Sequence, residues 1–192
     1  MAKIVISANV SLDGVVEDPD GTEAFRRGGW FARAGGTDLE QWAQAELAEA
    51  LRTDALLLGR RSDAWFAERW LSRTGEWAER LNALPKYVVS STVDRPRWSN
   101  ATVLRGDAVD QIVQLKRELE GEIVVYASAR LARTLIDNDL VDEVRLVVFP
   151  VVVGAGERLF GATGEEKPMR LVGSATIGEG LVALTYEAVR AR

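Results

Sequence analysis

The amino-acid sequence predicts an α/β protein in which helices cover both faces of a mixed, mostly parallel β-sheet. Over most of the 192 residues, short apolar segments rich in β-branched residues alternate with segments of helical periodicity, as in parallel strands joined by helices. Near the C-terminus two strand-like segments follow each other directly, which indicates an antiparallel pair. Because no repeat or linker interrupts this order, we expect a single domain over residues 1–192.

The N-terminal half predicts three strands with their helices. An apolar strand over residues 4–10 ends at Leu12-Asp13-Gly14, and a turn-rich loop with Pro19 and Asp20-Gly21 follows. We interpret residues 22–37, which hold two glycine pairs among Phe25, Trp30 and Phe31, as a long mobile loop or lid. The remaining elements are a helix over 38–52, a strand over 55–58, helices over 62–71 and 77–84, and a strand over 86–90.

The C-terminal half completes the sheet. A short strand is predicted over residues 101–104, and a helix over 108–120 stops at Gly121, as expected of a C-terminal glycine. A strand over residues 123–126 leads to a helix that Ser128 can cap and that runs over 131–138. A long apolar strand over 142–153 and an antiparallel pair over 170–175 and 181–189 close the fold.

The composition excludes several classes of function. The chain has no cysteine and no histidine, which excludes disulfides, serine–histidine triads and metal sites with Cys or His ligands. Acid–base chemistry therefore falls to Asp, Glu, Lys, Tyr, water or a cofactor. The net charge of −5 argues against general nucleic-acid binding. With no apolar run long enough for a membrane helix and no signal-peptide pattern, a cytoplasmic location is expected.

Two strand-to-helix turns give the strongest functional signal. The strand over residues 55–58 ends at Gly59, and Arg60, Arg61 and Ser62 begin the next helix, with Ser62 as a candidate cap. The strand over residues 123–126 leads to a second helix start at Ser128. Because a helix N-terminus offers free amide hydrogens and partial positive charge, each turn is a candidate anion site. Two of them in one small domain predict a nucleotide with several phosphates.

Several segments, in this order, resemble the dihydrofolate reductase-like superfamily, and within it the stand-alone relatives of the C-terminal reductase domain of the bifunctional riboflavin-biosynthesis deaminase/reductase. They cover nearly the whole chain apart from residues 20–37. The segments are SLDG at 11–14, LLLGRRS at 56–62, PKYVVSST at 85–92, and LVDEVRL at 140–146 leading to PVVVGAGERLF at 150–160. The resemblance implies a three-layer α/β sandwich and NADPH as the cofactor.

The resemblance also implies where the cofactor binds. The residues placed near the phosphates at the adenosine end are Gly59, Arg60, Arg61 and Ser62, and those bordering the 2′-phosphate are Ser90, Ser91 and Thr92. Those facing the pyrophosphate are Ala127, Ser128, Ala129, Arg130 and Leu131, and those on the nicotinamide side are Ser7, Ala8, Asp13, Gly14 and Val15. Guanidinium groups and hydroxyls suit the added phosphate of NADPH better than a carboxylate would, so a preference for NADPH over NADH is predicted.

The expected function is NADPH-dependent hydride transfer to a C=N or C=C bond of a small, flat, pterin- or pyrimidine-like heterocycle. Asp13 is the first candidate for orienting substrate or water, and Asp38 is the second. Each residue also has a simpler interpretation, because Asp13 can be a turn former and Asp38 a helix N-cap. Arg60 and Arg61 could likewise pair with nearby acids such as Asp63 or Glu68. Trp30 and Phe31 could close over a flat ring.

Two departures from the resemblance bear on the substrate. Ala127-Ser128 stands where relatives usually carry Gly-Gly or Gly-Ser, and Tyr126 stands where the bifunctional riboflavin enzymes tend to have an acid. They predict a substrate that is neither a riboflavin precursor nor dihydrofolate. They also favour an alternative function, a non-catalytic nucleotide- or heterocycle-binding module of the same fold. A homodimer is expected, because such relatives often pair and the C-terminal strand is apolar.

Overall fold

The computed structural model describes residues 1–161 and 164–190 and places eight strands in one sheet, in the order β4-β3-β2-β5-β1-β6-β8-β7. The strands are β1 (Lys3–Ser11), β2 (Ala55–Gly59), β3 (Lys86–Val89), β4 (Ala101–Leu104), β5 (Glu122–Tyr126), β6 (Glu143–Phe149), β7 (Met169–Ile177) and β8 (Leu181–Ala188). The helices are α1 (Trp30–Gly35), α2 (Leu39–Arg52), α3 (Arg60–Trp70), α4 (Glu76–Ala83), α5 (Ala108–Glu118) and α6 (Ala129–Asp137).

The strand pairing confirms the predicted mixed sheet. Six neighbouring strands, from β4 to β6, are parallel, whereas β8 runs antiparallel to β6 and β7 antiparallel to β8. The parallel strands β1, β5 and β2 are neighbours, so their carboxyl ends meet at the same edge of the sheet. In open α/β sheets this edge is where ligands bind.

Two apolar layers on opposite faces of the sheet confirm that helices cover both sides. On β1, Ile4 and Ile6 pack in a layer with residues of α5 and α6, whereas Val5 packs on the other face with residues of α2, α3 and α4. On β2, Leu57 lies in the first layer and its two neighbours lie in the second. This alternation is what a strand buried on both faces requires.

The segment over residues 22–37 differs from the predicted lid. Its second half forms α1 and the 3-10 turn Gly36–Asp38, and Trp30 is only 1% exposed. The indole Nε1 of Trp30 donates to the carbonyl of Glu17 at 3.0 Å, and its ring meets Phe149 edge-on with centroids 5.6 Å apart. The prediction that Trp30 closes over a ligand is therefore wrong, because the burial of this large ring outweighs the flexibility of the flanking glycines.

The end of one predicted strand also differs from its predicted position. The strand predicted over residues 142–153 ends at Phe149, and the amides of Val153 and Gly154 donate instead to the Asp13 carboxylate at 3.0 and 2.8 Å. The chain after β6 thus turns towards β1 rather than continuing the sheet.

None of the described helices combines the length and apolar character that crossing a bilayer requires.

Candidate functional site

The two strand-to-helix turns after β2 and β5 contact each other directly. The amide of Gly59 donates to Ser128 Oγ at 3.0 Å, and the amide of Ser128 donates to Ser62 Oγ at 3.1 Å. Both serine hydroxyls thus hold the turns together and do not cap α3 or α6, so the predicted capping role of each serine is wrong. The result is one continuous groove with two helix N-termini beside it.

A cavity of about 590 Å³ lies over this groove, at the carboxyl ends of β1, β2 and β5. This volume is in the range of small-molecule and cofactor sites. Eleven residues predicted to bind the cofactor are in its wall: Ser7, Ala8, Gly59, Arg60, Arg61, Ser62, Ala127, Ser128, Ala129, Arg130 and Leu131. The fold therefore brings together residues that are up to about 120 positions apart in the sequence.

The other five predicted cofactor residues lie outside the cavity wall: Gly14, Val15, Ser90, Ser91 and Thr92. Val15 is fully buried, and its amide donates to Ser11 Oγ at 2.9 Å. The hydroxyl of Ser90 accepts from the amides of Thr92 and Val93, which closes a turn within its own loop. Val89, one residue earlier, is the part of this strand that reaches the cavity.

Positive charge is concentrated at the two turns. Arg60 begins α3, Arg130 is the second residue of α6, and both side chains are exposed at the cavity. Among the residues that the structure describes, neither guanidinium has an acidic partner or a side-chain hydrogen bond. Arg61 forms an ion pair with Glu23 at 2.8 Å rather than with the acids of its own helix. Two unpaired guanidinium groups beside two helix N-termini can bind the phosphates of one ligand.

An acidic loop over residues 17–23 forms one wall of the cavity. Besides the pair between Glu23 and Arg61, Asp20 pairs with Arg69 at 3.1 Å, so two arginines of α3 hold this loop. The carboxylate of Asp18 is buried and accepts from the amides of Glu23 and Phe25 at 2.9 and 3.1 Å. The negative charges of the loop are therefore largely compensated within the protein.

Aromatic rings from α2, α3, α4 and the end of β5 form another part of the cavity wall, here called the aromatic end. The rings are those of Trp42, Trp65, Phe66, Trp70, Trp77 and Tyr126. The ring of Trp77 lies 4.9 Å from that of Trp70 and 5.6 Å from that of Trp42, centroid to centroid. The rings of Trp42, Trp65, Phe66 and Trp77 are partly exposed and can bind a flat ligand by stacking and edge contacts.

Glu46 is the acidic residue that sequence reasoning missed. It lies on α2 in the wall of the cavity, one turn after Trp42. Burial, together with the charge of Glu49, raises the pKa of Glu46 to about 8. No donor within residues 1–161 or 164–190 hydrogen-bonds its carboxyl group. Its i, i+4 spacing from Trp42, a residue of the predicted apolar side, was the signal in the sequence, because such pairs share a helix face.

A buried ionic cluster lies behind Glu46. The guanidinium of Arg145 pairs with Glu49, Glu122 and Glu143 at 3.2, 2.8 and 2.6 Å. Burial, followed by the charges of Glu49 and Glu46, raises the pKa of the neighbouring Tyr126 far above its ordinary value, so this phenol stays protonated. Arg145 compensates Glu49 directly, whereas Glu46 has no cation beside it.

The two predicted catalytic residues lie outside the cavity. The Asp13 carboxylate accepts from Ser11 Oγ at 2.7 Å and from the amides of Val153 and Gly154, and these hydrogen bonds, that from Ser11 above all, lower its pKa to about 2. Asp38 does not cap α2, and its carboxylate accepts from the amides of Glu179 and Gly180 at 3.2 and 2.8 Å. Both aspartates hold turns together, so their positions do not support the predicted catalytic roles.

The parallel sheet with its antiparallel edge, the helices on both faces and the groove across two strand-to-helix turns define an α/β protein of the dihydrofolate reductase-like fold. A comparison with known protein families matches residues 2–183 to the RibD C-terminal domain. The chain belongs to this family of reductase-like domains.

The chain is also similar to individual known proteins. The chain is 27% identical over 192 residues to the protein YyaP of Bacillus subtilis (strain 168), a match that covers 96% of this chain and 94% of YyaP. A crystal structure from Shewanella sp. PV-4, whose assignment to riboflavin biosynthesis is provisional, aligns over 99% of this chain and 100% of its own, with a TM-score of 0.76 and 21% identity. Dihydrofolate reductase from Enterococcus faecalis, solved in complex with NADP(H), aligns over 97% and 96% with a TM-score of 0.60 and 15% identity. The two structures show the shared fold.

Proposed function

We propose that this protein is an NADPH-dependent reductase that transfers hydride to a C=N or C=C bond of a small, flat, pterin- or pyrimidine-like heterocycle. The observation that carries the proposal is the single groove in which the unpaired Arg60 and Arg130 flank two helix N-termini at one end and aromatic rings stand at the other. Membership of a reductase-like family supports the reaction class. The NADP(H) bound to the Enterococcus faecalis enzyme supports the choice of cofactor.

The proposed placement of the dinucleotide follows the charges. Its phosphates would lie over the turns, within reach of the amides at the starts of α3 and α6 and of the two guanidinium groups. Ser7 and Ala8 at the carboxyl end of β1 would border the nicotinamide, which supplies the hydride. Contacts of Gly14, Val15, Ser90, Ser91 and Thr92 with the cofactor stay predictions from the resemblance, since these residues lie outside the cavity wall.

Glu46 takes the acid role that was predicted for Asp13 and Asp38. A pKa of about 8 keeps its carboxyl group protonated at neutral pH, so it can donate a proton to the substrate nitrogen or carbon next to the one that accepts hydride. The surrounding rings exclude water from the reacting atoms and orient the flat substrate. Because the protonated fraction falls as the pH rises through 8, kcat should decline above that pH.

The Arg60→Ala variant tests the cofactor part of the proposal. Dissociation constants for NADPH and NADH are measured on the wild type and the variant. We expect the wild type to prefer NADPH, and we expect Arg60→Ala to weaken NADPH binding about tenfold or more, as the loss of a charge-assisted hydrogen bond does. Arg52→Ala removes an exposed guanidinium outside the cavity wall and is the control. Equal affinity of the wild type for both cofactors would contradict the proposal.

Reductase activity is tested separately from binding. Oxidation of NADPH is followed with a panel of oxidised pterins and pyrimidines, and turnover with one of them is expected. The alternative function, a non-catalytic binding module, is favoured by Ala127, whose side chain stands at a turn with a φ of 49° beside the cavity. Saturable NADPH binding without oxidation by any member of the panel would favour that alternative.

We also propose that the domain over residues 1–192 is a cytoplasmic homodimer. The outermost strand β7 leaves one edge of the sheet unpaired, and its Leu171 and Val172 are 50% and 44% exposed. A second copy could pair along this edge and cover both side chains. Light scattering after gel filtration should give the mass of a dimer, and Leu171→Lys should shift it towards a monomer. A monomeric wild type would refute the dimer without affecting the proposed reaction.

A further inference from the structure

The distribution of charge along the cavity restricts the substrate further. We infer that the aromatic end accepts an amino-substituted nitrogen heterocycle that carries no phosphate group. This inference rests on the proposed function, because it concerns the substrate end of the same cavity.

The cations of the cavity wall stand at one end only. Helix α3 lines the cavity from Arg60 and Arg61 at its start to Trp65, Phe66 and Trp70 further along. At the rise of an α-helix, Trp65 stands about 6 Å along the axis from Arg61, and Trp70 stands about 15 Å from Arg60. In the described part of the wall, the cationic residues are Arg60, Arg61 and Arg130, and all three lie at the two turns.

A phosphorylated substrate would therefore meet no cation of the cavity wall at the aromatic end. The guanidinium of Arg73 lies 4.7 Å from the centroid of the Trp70 ring, but Arg73 is outside that wall. The dinucleotide phosphates occupy the turns in the proposed complex, and Arg61 is already paired with Glu23. Arg69 lies over the ring of Trp65, but its guanidinium is held by Asp20 and Thr22 and is outside the cavity wall. A phosphate placed among the rings would lose its hydration and gain no opposite charge from the cavity wall there.

The same end offers what a neutral or protonated heterocycle needs. The ring pairs Trp70 with Trp77 and Phe66 with Tyr126, at 4.9 and 6.2 Å between centroids, present flat surfaces. Glu46 has no hydrogen-bond partner in the described chain, and a carboxyl group can donate to a ring nitrogen when protonated or accept from an amino group when ionised. Either arrangement gives the carboxyl group of Glu46 a hydrogen-bond partner, with one proton shared between Glu46 and the substrate.

The experiment compares two probes that carry an amino-substituted nitrogen heterocycle and differ by one phosphate, cytidine and its 5′-phosphate. Each is titrated by calorimetry into the full chain saturated with NADPH. We expect the unphosphorylated compound to bind at least tenfold more tightly. Equal affinity, tighter binding of the phosphate, or binding of neither probe would overturn the inference. NADPH is titrated into the protein first. Failure to bind NADPH would contradict the proposed function, whereas tighter binding of the phosphorylated probe would contradict only this inference.

Variants of Glu46 test whether this side chain causes the preference for the unphosphorylated probe. Glu46→Gln should weaken binding of the unphosphorylated probe about tenfold, and Glu46→Lys should move the preference towards the phosphorylated probe. Glu40→Gln on the same helix is exposed and outside the cavity and is the control. The affinity for NADPH reports correct folding of each variant. An unchanged probe preference in Glu46→Lys would show that the charge at this position does not select the substrate.

Discussion

Ala127 and Ser128 adopt left-handed backbone conformations, with φ of 49° and 55°, in the turn that joins β5 to α6. Such a conformation costs about 1–2 kcal/mol for a residue with a Cβ. The two strained residues stand where the turn after β5 meets Gly59, and the amide and hydroxyl of Ser128 bind the other turn. The strained backbone is therefore part of the contact between the two turns that forms the groove.

Replacing Ala127 by glycine should relieve part of this strain. We expect Ala127→Gly to raise the free energy of unfolding by up to about 1 kcal/mol, or the melting temperature by a few degrees. The matched control is Ala45→Gly, an exposed position inside α2, where glycine should destabilise by about 1 kcal/mol. Thermal melts of both variants measure the difference. Equal destabilisation in the two variants would show that the turn is not strained.

The role of Asp13 is tested by the pH dependence of stability. Its pKa is lowered from 3.8 to about 2 in the folded protein, so its contribution is present above pH 4 and is lost as the pH falls towards 2. Asp13→Asn should lower the free energy of unfolding at pH 7 by about 1 kcal/mol and flatten the loss of stability between pH 4 and 2. Denaturant titrations across this range measure both effects.

Two comparisons make the Asp13 result specific. Asp94→Asn, at a side chain that is 92% exposed and paired with Arg105, should change stability little. NADPH affinity and turnover should be retained in Asp13→Asn, since the carboxylate lies outside the cavity. A loss of turnover at unchanged stability would instead restore the catalytic role that the sequence predicted.

At the scale of single residues, the sequence predicted chemistry best where it depends on neighbours in the chain. The turn at Gly59 and Arg60 could be predicted because a strand end, a glycine and a helix start follow each other directly. The hydrogen-bond partners of Asp13 and Asp38 could not be predicted, because these partners, the amides near residues 153 and 180, are about 140 positions away. Glu46 was missed for the same reason, since the rings that bury it come mainly from α3, α4 and β5.

At the scale of elements, helix α2 presents Glu46 and Glu49 to the same side, three residues apart. Arg145 on β6 forms an ion pair with Glu49, and the charge of Glu49 adds to burial in raising the pKa of Glu46. The other charged or titratable groups of this cluster are Glu122 and Tyr126 on β5 and Glu143 on β6. Glu49 is therefore a positioning residue for the proposed acid.

The Glu49→Gln variant tests this coupling. Because it removes the negative charge and leaves the burial, the pKa of Glu46 should fall from about 8 while remaining above its ordinary value. Carboxyl carbon shifts measured by NMR during a pH titration report the pKa without any substrate. The decline of turnover at high pH should begin at lower pH in the variant. A wild-type Glu46 that titrates near 4.5 would contradict the account of this site.

The contribution of Glu46 to stability should change with pH in the opposite direction to that of Asp13. A raised folded pKa means that the folded state holds a proton that the unfolded state has released, so stability falls as the pH rises from about 4.5 to 8. Glu46→Gln removes this dependence. The variant should therefore gain stability relative to the wild type as the pH is raised through that interval.

Element order could be predicted from the sequence, whereas some boundaries could not. Strands β2 and β5 and helix α5 follow from local apolar patterns and from Gly121, so they were placed correctly. Helix α1 was not predicted, because it begins after Gly29 in a glycine-rich segment and is stabilised by the packing of Trp30 on Phe149. The early end of β6 depends on the distant carboxylate of Asp13.

At the scale of the molecule, function depends on which strands are neighbours. The sequence places β2 and β5 more than 60 residues apart, and parallel pairing puts them side by side so that their turns share one groove. The alternation of elements predicted the layers of the sandwich. It could not determine the strand order or which predicted residues would face the cavity, because both depend on long-range pairing.

The titration of the wild-type protein with NADPH tests the central claim most directly. Four tryptophans line the cavity, so a nicotinamide bound there should quench their fluorescence by energy transfer. We predict a saturable response to NADPH that is tighter than the response to NADH and that is weakened in the double variant Arg60→Ala with Arg130→Ala. No saturable response at millimolar NADPH would contradict the claim that the two turns bind one dinucleotide.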